Sequence, residues 1–205
     1  MAIQHKSIPD AQLHEVKGAA GAGVGQLLRF NGDGTSSPWT PDFTKAKMGF
    51  WDYADTATQS SPILLSSANT EYQLTNNGLG TDTNTTYGLP GVSIYNTSTG
   101  YFDFSDLKIG DTVDIRTDCE ITTTSINNVL TLNAELGIGT NPYEIPFDSV
   151  YFKSAGTFRV VAFHSFYIGN NDTKNGLARF LASNESTGAS VKVNEIGRAS
   201  CKEKV

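Results

Sequence analysis

The chain has 205 residues with a formal net charge of −6, and only 18% of them are charged. Its 15 basic residues are scattered, whereas proteins that bind nucleic acid by counterion release cluster their Lys and Arg, so we expect no nucleic-acid partner. No run approaches the ~18 consecutive apolar residues of a membrane-spanning helix, and residues 1–6 lack the apolar region of a secretory signal, so we expect a cytoplasmic protein without a membrane partner.

Residues 1–46 show neither strand nor helix periodicity. Residues 18–25 are almost wholly glycine and alanine, which have little side chain to bury and much backbone entropy to lose on ordering. The Asn-Gly-Asp-Gly run at 31–34 signals a turn, and we expect a small hairpin within 24–43. We predict that residues 1–46 form an extended arm that gains its structure against a larger partner.

From residue 47, short strand patterns alternate with turn residues, which is typical of an all-β domain. No helical period and no internal repeat interrupts them. We predict a jelly-roll β-sandwich over residues 47–205, with a frayed tail from 197, because the last charged residues break the alternation. The predicted strands are 49–53, 62–66, 71–75, 92–95, 101–104, 111–121, 128–138, 157–168, 177–182 and 189–196.

The clearest strand, 111–121, alternates apolar and polar side chains and therefore predicts one dry face and one solvated face. The dry face carries Val113, Ile115, Thr117, Cys119 and Ile121, and the wet face carries Thr112, Asp114, Arg116, Asp118 and Glu120. We expect Cys119 to be a buried free thiol and Cys201 to be exposed, although a bridge between them stays open.

The strand at 157–168 is more continuously apolar, as in strands that are buried on both faces. We interpret one of its faces as a contact with another subunit, through Phe163, Phe166 and Tyr167.

No catalytic constellation stands out, and we expect no enzyme activity, no cofactor and no metal. His5, His14 and His164 are too far apart in sequence to suggest a metal site. The Asn-rich run at 170–176 lacks the acidic density of a calcium loop, so we interpret it as a strand connection. A carboxylate pair among Asp114, Asp118 and Glu120 would suit glycosidase chemistry, but Arg116 lies between them and a solvated face explains them better.

Tyrosines near loops and strand ends leave two interpretations open: they stack on sugars, or they pack in the core or against other subunits. They are Tyr72, Tyr87, Tyr95, Tyr101, Tyr143 and Tyr151.

The arm sequence HKSIPDAQLHEVKGAA at 5–20 resembles an N-terminal segment of virion proteins of tailed bacteriophages. The runs at 102–116, 136–139 and 153–158 are similar to the jelly-roll module of the same proteins, which are capsid decoration (cement) proteins, head fibres and some tail fibres. In these proteins the last strand usually runs to the chain end, and residues 197–205 depart from that pattern.

The resemblance implies a homotrimer on the capsid surface of the virion, synthesised in the host cytoplasm, with its arm on the major capsid protein. The arm residues that match the pattern, and so are expected to bind the capsid, are Ile8, Pro9, Asp10, Gln12, Leu13, His14, Lys17 and Gly18. The alternative is a tail-fibre receptor-binding module that recognises host-surface carbohydrate. A polysaccharide-degrading enzyme is a third reading, which depends only on the three carboxylates above.

Overall fold

The structure is a computed structural model that describes residues 27–30, 36–39, 49–89 and 91–202. The chain divides into two compact units, Met1–Lys45 and Ala46–Val205. In the first unit, strands β1 (Leu27–Phe30) and β2 (Ser36–Trp39) pair antiparallel on either side of the turn signal at 31–34. The capsid-binding residues expected between 8 and 18 lie outside the described residues.

The second unit contains eleven further strands and two short helices. In chain order they are β3 (Phe50–Ala54), α1 (Ala57–Ser60), β4 (Ile63–Leu65), β5 (Tyr72–Gln73), β6 (Tyr95–Asn96), β7 (Tyr101–Asp103), β8 (Thr112–Thr123), β9 (Asn128–Ile138), β10 (Tyr143–Phe152), β11 (Gly156–Tyr167), α2 (Asn171–Asn175), β12 (Leu177–Asn184) and β13 (Ala189–Lys202).

These strands form two antiparallel sheets. One has the order β11–β8–β13–β3, with β4 also paired to β13. The other has the order β10–β9–β12–β7–β6, with β5 also paired to β12. The strands pair in reverse chain order, β3 with β13, β7 with β12, β8 with β11 and β9 with β10, as in a long hairpin rolled across two sheets. This is the jelly-roll arrangement, and it confirms the predicted all-β sandwich.

The core lies between the two sheets and is built by the alternation that the sequence shows. In β9 the side chains of Leu130, Leu132 and Leu136 are all buried. Within one sheet the Phe180 ring lies 5.1 Å from that of Phe102 and 5.2 Å from that of Phe147, and this aromatic cluster joins the two sheets where Phe180 lies 5.9 Å from the Phe166 ring of β11. Cys119 is buried and free, as expected, and burial raises the pKa of its thiol to about 12.

Strand β10 was not predicted from the sequence. Pro146 lies within it, and a register shift between Pro146 and Asp148 breaks the alternation that marks a strand. Strand β10 is the edge strand of its sheet, which is where a proline is tolerated within a strand.

The frayed tail expected from residue 197 is wrong for residues 197–202, because β13 continues to Lys202 and pairs with β8 as far as Thr112. Register shifts between Val193 and Glu195 and between Ile196 and Ser200 conceal the strand from a search for alternation. The strand connection expected at 170–176 contains α2, whose start is capped by the Asn170 side chain, which accepts a hydrogen bond from the Thr173 amide at 2.8 Å.

The register fixes which loops share an end of the sandwich. Phe50, at the start of β3, pairs with Ser200, and Ser200 pairs with Asp114 near the start of β8. The opposite end of β8 pairs with Gly156. The loops at 124–127, 153–155 and 185–188 therefore lie about 30 Å from the start of β3, because nine residue steps of roughly 3.3 Å separate Asp114 from Thr123 along β8.

Replacing Phe180 tests the aromatic cluster. We expect Phe180→Ala to destabilise the protein by about 3–5 kcal/mol, because a fully buried ring is lost and the rigid sheets cannot close the cavity. Leu64→Ala is the control, since that side chain is 67% exposed, and it should cost under ~0.5 kcal/mol. Urea unfolding followed by fluorescence measures both, and equal losses would contradict the assignment of the core.

Candidate functional site: the outer face of strand β11

The outer face of β11 carries an apolar strip formed by Val161, Phe163 and Tyr167. Their side chains are 39%, 70% and 61% exposed in the isolated protomer. The sequence predicted a strand buried on both faces, and the protomer instead buries only the inner face. Phe166 is a correction to the predicted subunit contact, because it faces the core with 3% exposure and its ring lies 5.9 Å from that of Phe180.

Strand β11 is also an edge strand. It pairs with β8 along its whole length, from Gly156 opposite Thr123 to Tyr167 opposite Thr112. Among the described residues, no backbone hydrogen bond reaches its other edge. A long, apolar edge without a bulge or proline is a template for pairing with another chain.

The other long edges of the sandwich are protected. At the β3 edge, Asp52 bridges to Asn84 and the Phe50 amide donates to the Tyr87 carbonyl at 3.0 Å, so a loop covers the strand. The β10 edge carries its proline and bulge. Among the long edge strands that the structure describes, β11 is therefore the one without a covering loop, a proline or a bulge.

Beside the apolar strip, directly across from Val161 on the same face, Asp118 joins the three neighbouring strands. It accepts hydrogen bonds from Arg116 of β8 at 2.7 Å, from Arg159 of β11 at 2.5 and 3.0 Å, and from Asn194 of β13 at 3.1 Å. Arg116 also contacts Glu195 at 2.7 Å. The expectation that Asp118 lies on a solvated face is wrong, because its side chain is 1% exposed.

Two opposing effects set the pKa of Asp118. Burial alone would raise it, but hydrogen bonds from Arg159 and Asn194 and the charges of Arg159 and Arg116 outweigh burial and hold the pKa below its ordinary value of 3.8. The carboxylate of Asp118 is therefore ionised at neutral pH. It has neither the free lone pairs nor the raised pKa of a general acid.

Phe163 links the apolar strip to this network. It lies directly across from Arg116, whose guanidinium carbon is 5.9 Å from the centre of the Phe163 ring. A cation over an aromatic face is attracted to it, more strongly when water is excluded. One face of the ring is thus already occupied within the protomer, and the remainder is exposed.

The other polar residues of this sheet form surface pairs. Ser165 donates to Asp114 at 2.5 Å, and Lys192 contacts Glu120 at 3.0 Å. The three carboxylates proposed for glycosidase chemistry are therefore each engaged with a neighbour. His164 lies on the inner side of β11 between Phe147 and Phe166, and burial lowers its pKa.

The remaining candidate residues fall at separate places. Tyr95 is in the core, whereas Tyr87, Tyr143 and Tyr151 are exposed. His5, His14 and the glycine-rich run at 21–25 lie outside the described residues. Within the described ranges, no group of three or more His, Cys, Asp or Glu side chains is placed to hold a metal ion, and no helix has the length and apolar character to cross a membrane.

Comparisons with known proteins give little. No protein-family model matches the chain, and no curated protein sequence matches it either. Among solved structures, the PRD1 vertex protein P5 is similar over 89% of this chain and 84% of its own, with 14% identity and a TM-score of 0.40. At that score and identity the similarity carries no argument about function.

Acid titration tests the Asp118 network. Its folded-state pKa is lowered, so its contribution to stability is present above the unfolded-state value near 3.9 and is lost as the pH falls through the folded value. We expect Asp118→Asn to lose about 3 kcal/mol at pH 7, the low end for a buried ion pair because Arg159 is largely exposed.

The difference between Asp118→Asn and the unmodified protein should shrink as the pH falls through the folded-state pKa of Asp118, below which both carry a neutral side chain. Urea unfolding at several pH values measures it. Asp106→Asn, at an exposed position, is the matched control and should leave the stability unchanged. A difference that persists undiminished in acid would show that the carboxylate charge is not what stabilises the three strands.

Proposed function

We propose that this chain is a structural protein of a tailed-phage virion, a capsid decoration protein of the cement or head-fibre kind. Residues 1–46 bind the major capsid protein, and the jelly roll stands on the capsid surface. The arm sequence at 5–20 supports the virion assignment by resemblance, and the sandwich fold is compatible with it. The observation that carries the proposal is the apolar strip on the open β11 edge, because an exposed apolar edge strand is suited to association with another chain.

The strip supports a closed homo-oligomer, which the resemblance of the arm implies is a trimer. Phe163 and Tyr167 are large apolar side chains on a flat strand, and a monomer that left them in water would expose an aggregation site. In a closed symmetric assembly, each copy of the chain covers the apolar strip of a neighbouring copy. No strip is then left exposed to water. Three linked copies also multiply the weak affinity of each arm for the capsid.

A structural role fits the chemistry of the described residues better than an enzymatic one. The carboxylates are bonded to neighbours, Asp118 has a lowered pKa, and His164 has no carboxylate partner among its ring contacts. Catalytic acids and bases are instead found with pKa values shifted toward the working pH.

Removing the arm tests the anchoring. We expect a chain that lacks residues 1–23 to keep its stability and its oligomeric state, because the jelly-roll unit holds its own core, and to lose binding to empty capsids. Co-sedimentation with capsids measures binding, and circular dichroism checks the fold. Retained binding by the shortened chain would rule out the arm as the anchor.

Charging the apolar strip tests the trimer. We expect Phe163→Glu to convert trimers to monomers while the fold is kept, because an exposed position accepts a carboxylate in the monomer but not within an apolar interface. Leu64→Glu, at 67% exposure on β4, is the control and should leave the trimer intact. Light scattering coupled to gel filtration measures the mass, and a monomeric unmodified protein would refute the trimer.

A further inference from the structure

We infer that the end of the sandwich remote from β3 carries a binding site for a neutral carbohydrate. The site is the tip groove, a cleft of about 590 Å³ between residues 124–128 and residues 185–186. Its volume lies within the roughly 300–1,000 Å³ of small-ligand sites in proteins. The inference rests on the proposed function, which places the jelly roll on the capsid surface.

The position of the groove follows from the strand register. The chain enters the jelly roll at β3, and Phe50 lies at the same end as Asp114. The groove lies beyond Thr123, at the other end of β8. The groove and the start of β3 thus lie at opposite ends of the sandwich.

A buried polar network makes the groove rigid. Asn128 and Asn184 are 2% and 1% exposed, and the Asn128 amide donates to the Asn184 carbonyl at 2.6 Å. Asn128 also donates to Thr123 at 3.2 Å and accepts from Ser186 at 2.7 Å. A fully satisfied network of this kind fixes the two loops relative to each other. Ligand binding then costs little conformational entropy, because the loops are already ordered.

The rim supplies the apolar surface that a sugar ring requires. Tyr151 is 53% exposed, and its hydroxyl donates to Asn127 at 2.8 Å, which brings the ring to the edge of the groove. Ile126 is 67% exposed within the groove itself. Aromatic and aliphatic faces next to hydrogen-bonding groups suit ligands that are apolar on one face and polar at the edge.

The polar groups of the groove select a neutral ligand. The Asn127 oxygen is used by Tyr151, which leaves its amide N–H groups to donate, and Glu185 offers an exposed carboxylate as acceptor. Hydroxyl groups satisfy both, because each donates and accepts. No Lys or Arg lines the groove, so a sulfated or sialylated sugar would meet only the Glu185 charge, which repels it.

The test uses the full chain on an array of neutral oligosaccharides built from glucose, galactose, mannose and N-acetylglucosamine, alongside sialylated and sulfated ones. We expect millimolar or tighter binding to neutral glycans only. Tyr151→Ala should weaken it about tenfold or more through lost stacking. Asn127→Gly should weaken it about tenfold through a lost hydrogen bond while keeping the backbone, since Asn127 has a φ of 51° that glycine accepts.

Tyr143→Ala is the matched control. Tyr143 is also an exposed tyrosine of β10 whose hydroxyl is bonded to a neighbour, Thr173, but it lies at the other end of the sandwich. It should leave glycan binding within twofold of the unmodified protein.

Capsid co-sedimentation of the same variants separates the two proposals, since all of them should still bind capsids. No neutral glycan bound at millimolar concentration, or binding lost equally in Tyr143→Ala, would overturn the site and leave the capsid role standing. Glycan binding without capsid binding would instead remove the proposed function and keep the groove as a sugar site.

Discussion

The jelly roll depends on one three-strand junction, where Asp118 binds side chains from β8, β11 and β13. The carboxylate is almost fully buried, so each of its hydrogen bonds acts in a medium of low dielectric constant. Taking the charge out of water is costly, and only the two guanidinium groups and the Asn194 amide offset that cost. The junction therefore specifies one register among the three strands more sharply than apolar contacts alone would.

The same junction holds the open edge in place. Among the described residues, strand β11 has a partner on one side, and Arg159 binds it to the sheet near its start. Phe163 covers the guanidinium of Arg116. The residues that hold the sheet together therefore also restrict the motion of the neighbouring surface that we assign to subunit association. A surface that is already rigid loses little conformational entropy when it binds.

The sequence predicted the fold class and most strands because period-two alternation directly records which side chains meet the core. It failed where the backbone departs from that period. The Pro146 bulge concealed β10, and two register shifts concealed the last six of the 14 residues of β13. The shift between Val193 and Glu195 places Glu195 across from Asp118 and brings Asn194 to it, so a polar residue is buried on what reads as a wet face.

The candidate sites were harder to predict for a related reason. The continuously apolar run at 157–168 marked an unusual strand, but residue type alone could not say which of its aromatics face inward, so Phe166 was grouped with Phe163 and Tyr167. The tip groove brings together residues 124–128, 151 and 185–186, which are contiguous only after the hairpin is rolled. No local spacing carries that information.

The place of β13 has a consequence for biosynthesis. This strand, the last in chain order, lies inside its sheet between β8 and β3 rather than at a margin. Until it has left the ribosome, its two neighbours expose unpaired backbone groups to every other nascent copy nearby, and the sheet cannot be completed by anything made earlier. Newly made chains should therefore be most prone to misassociation until β13 has been synthesised, and a chaperone that covers the unpaired strands would help most during that interval.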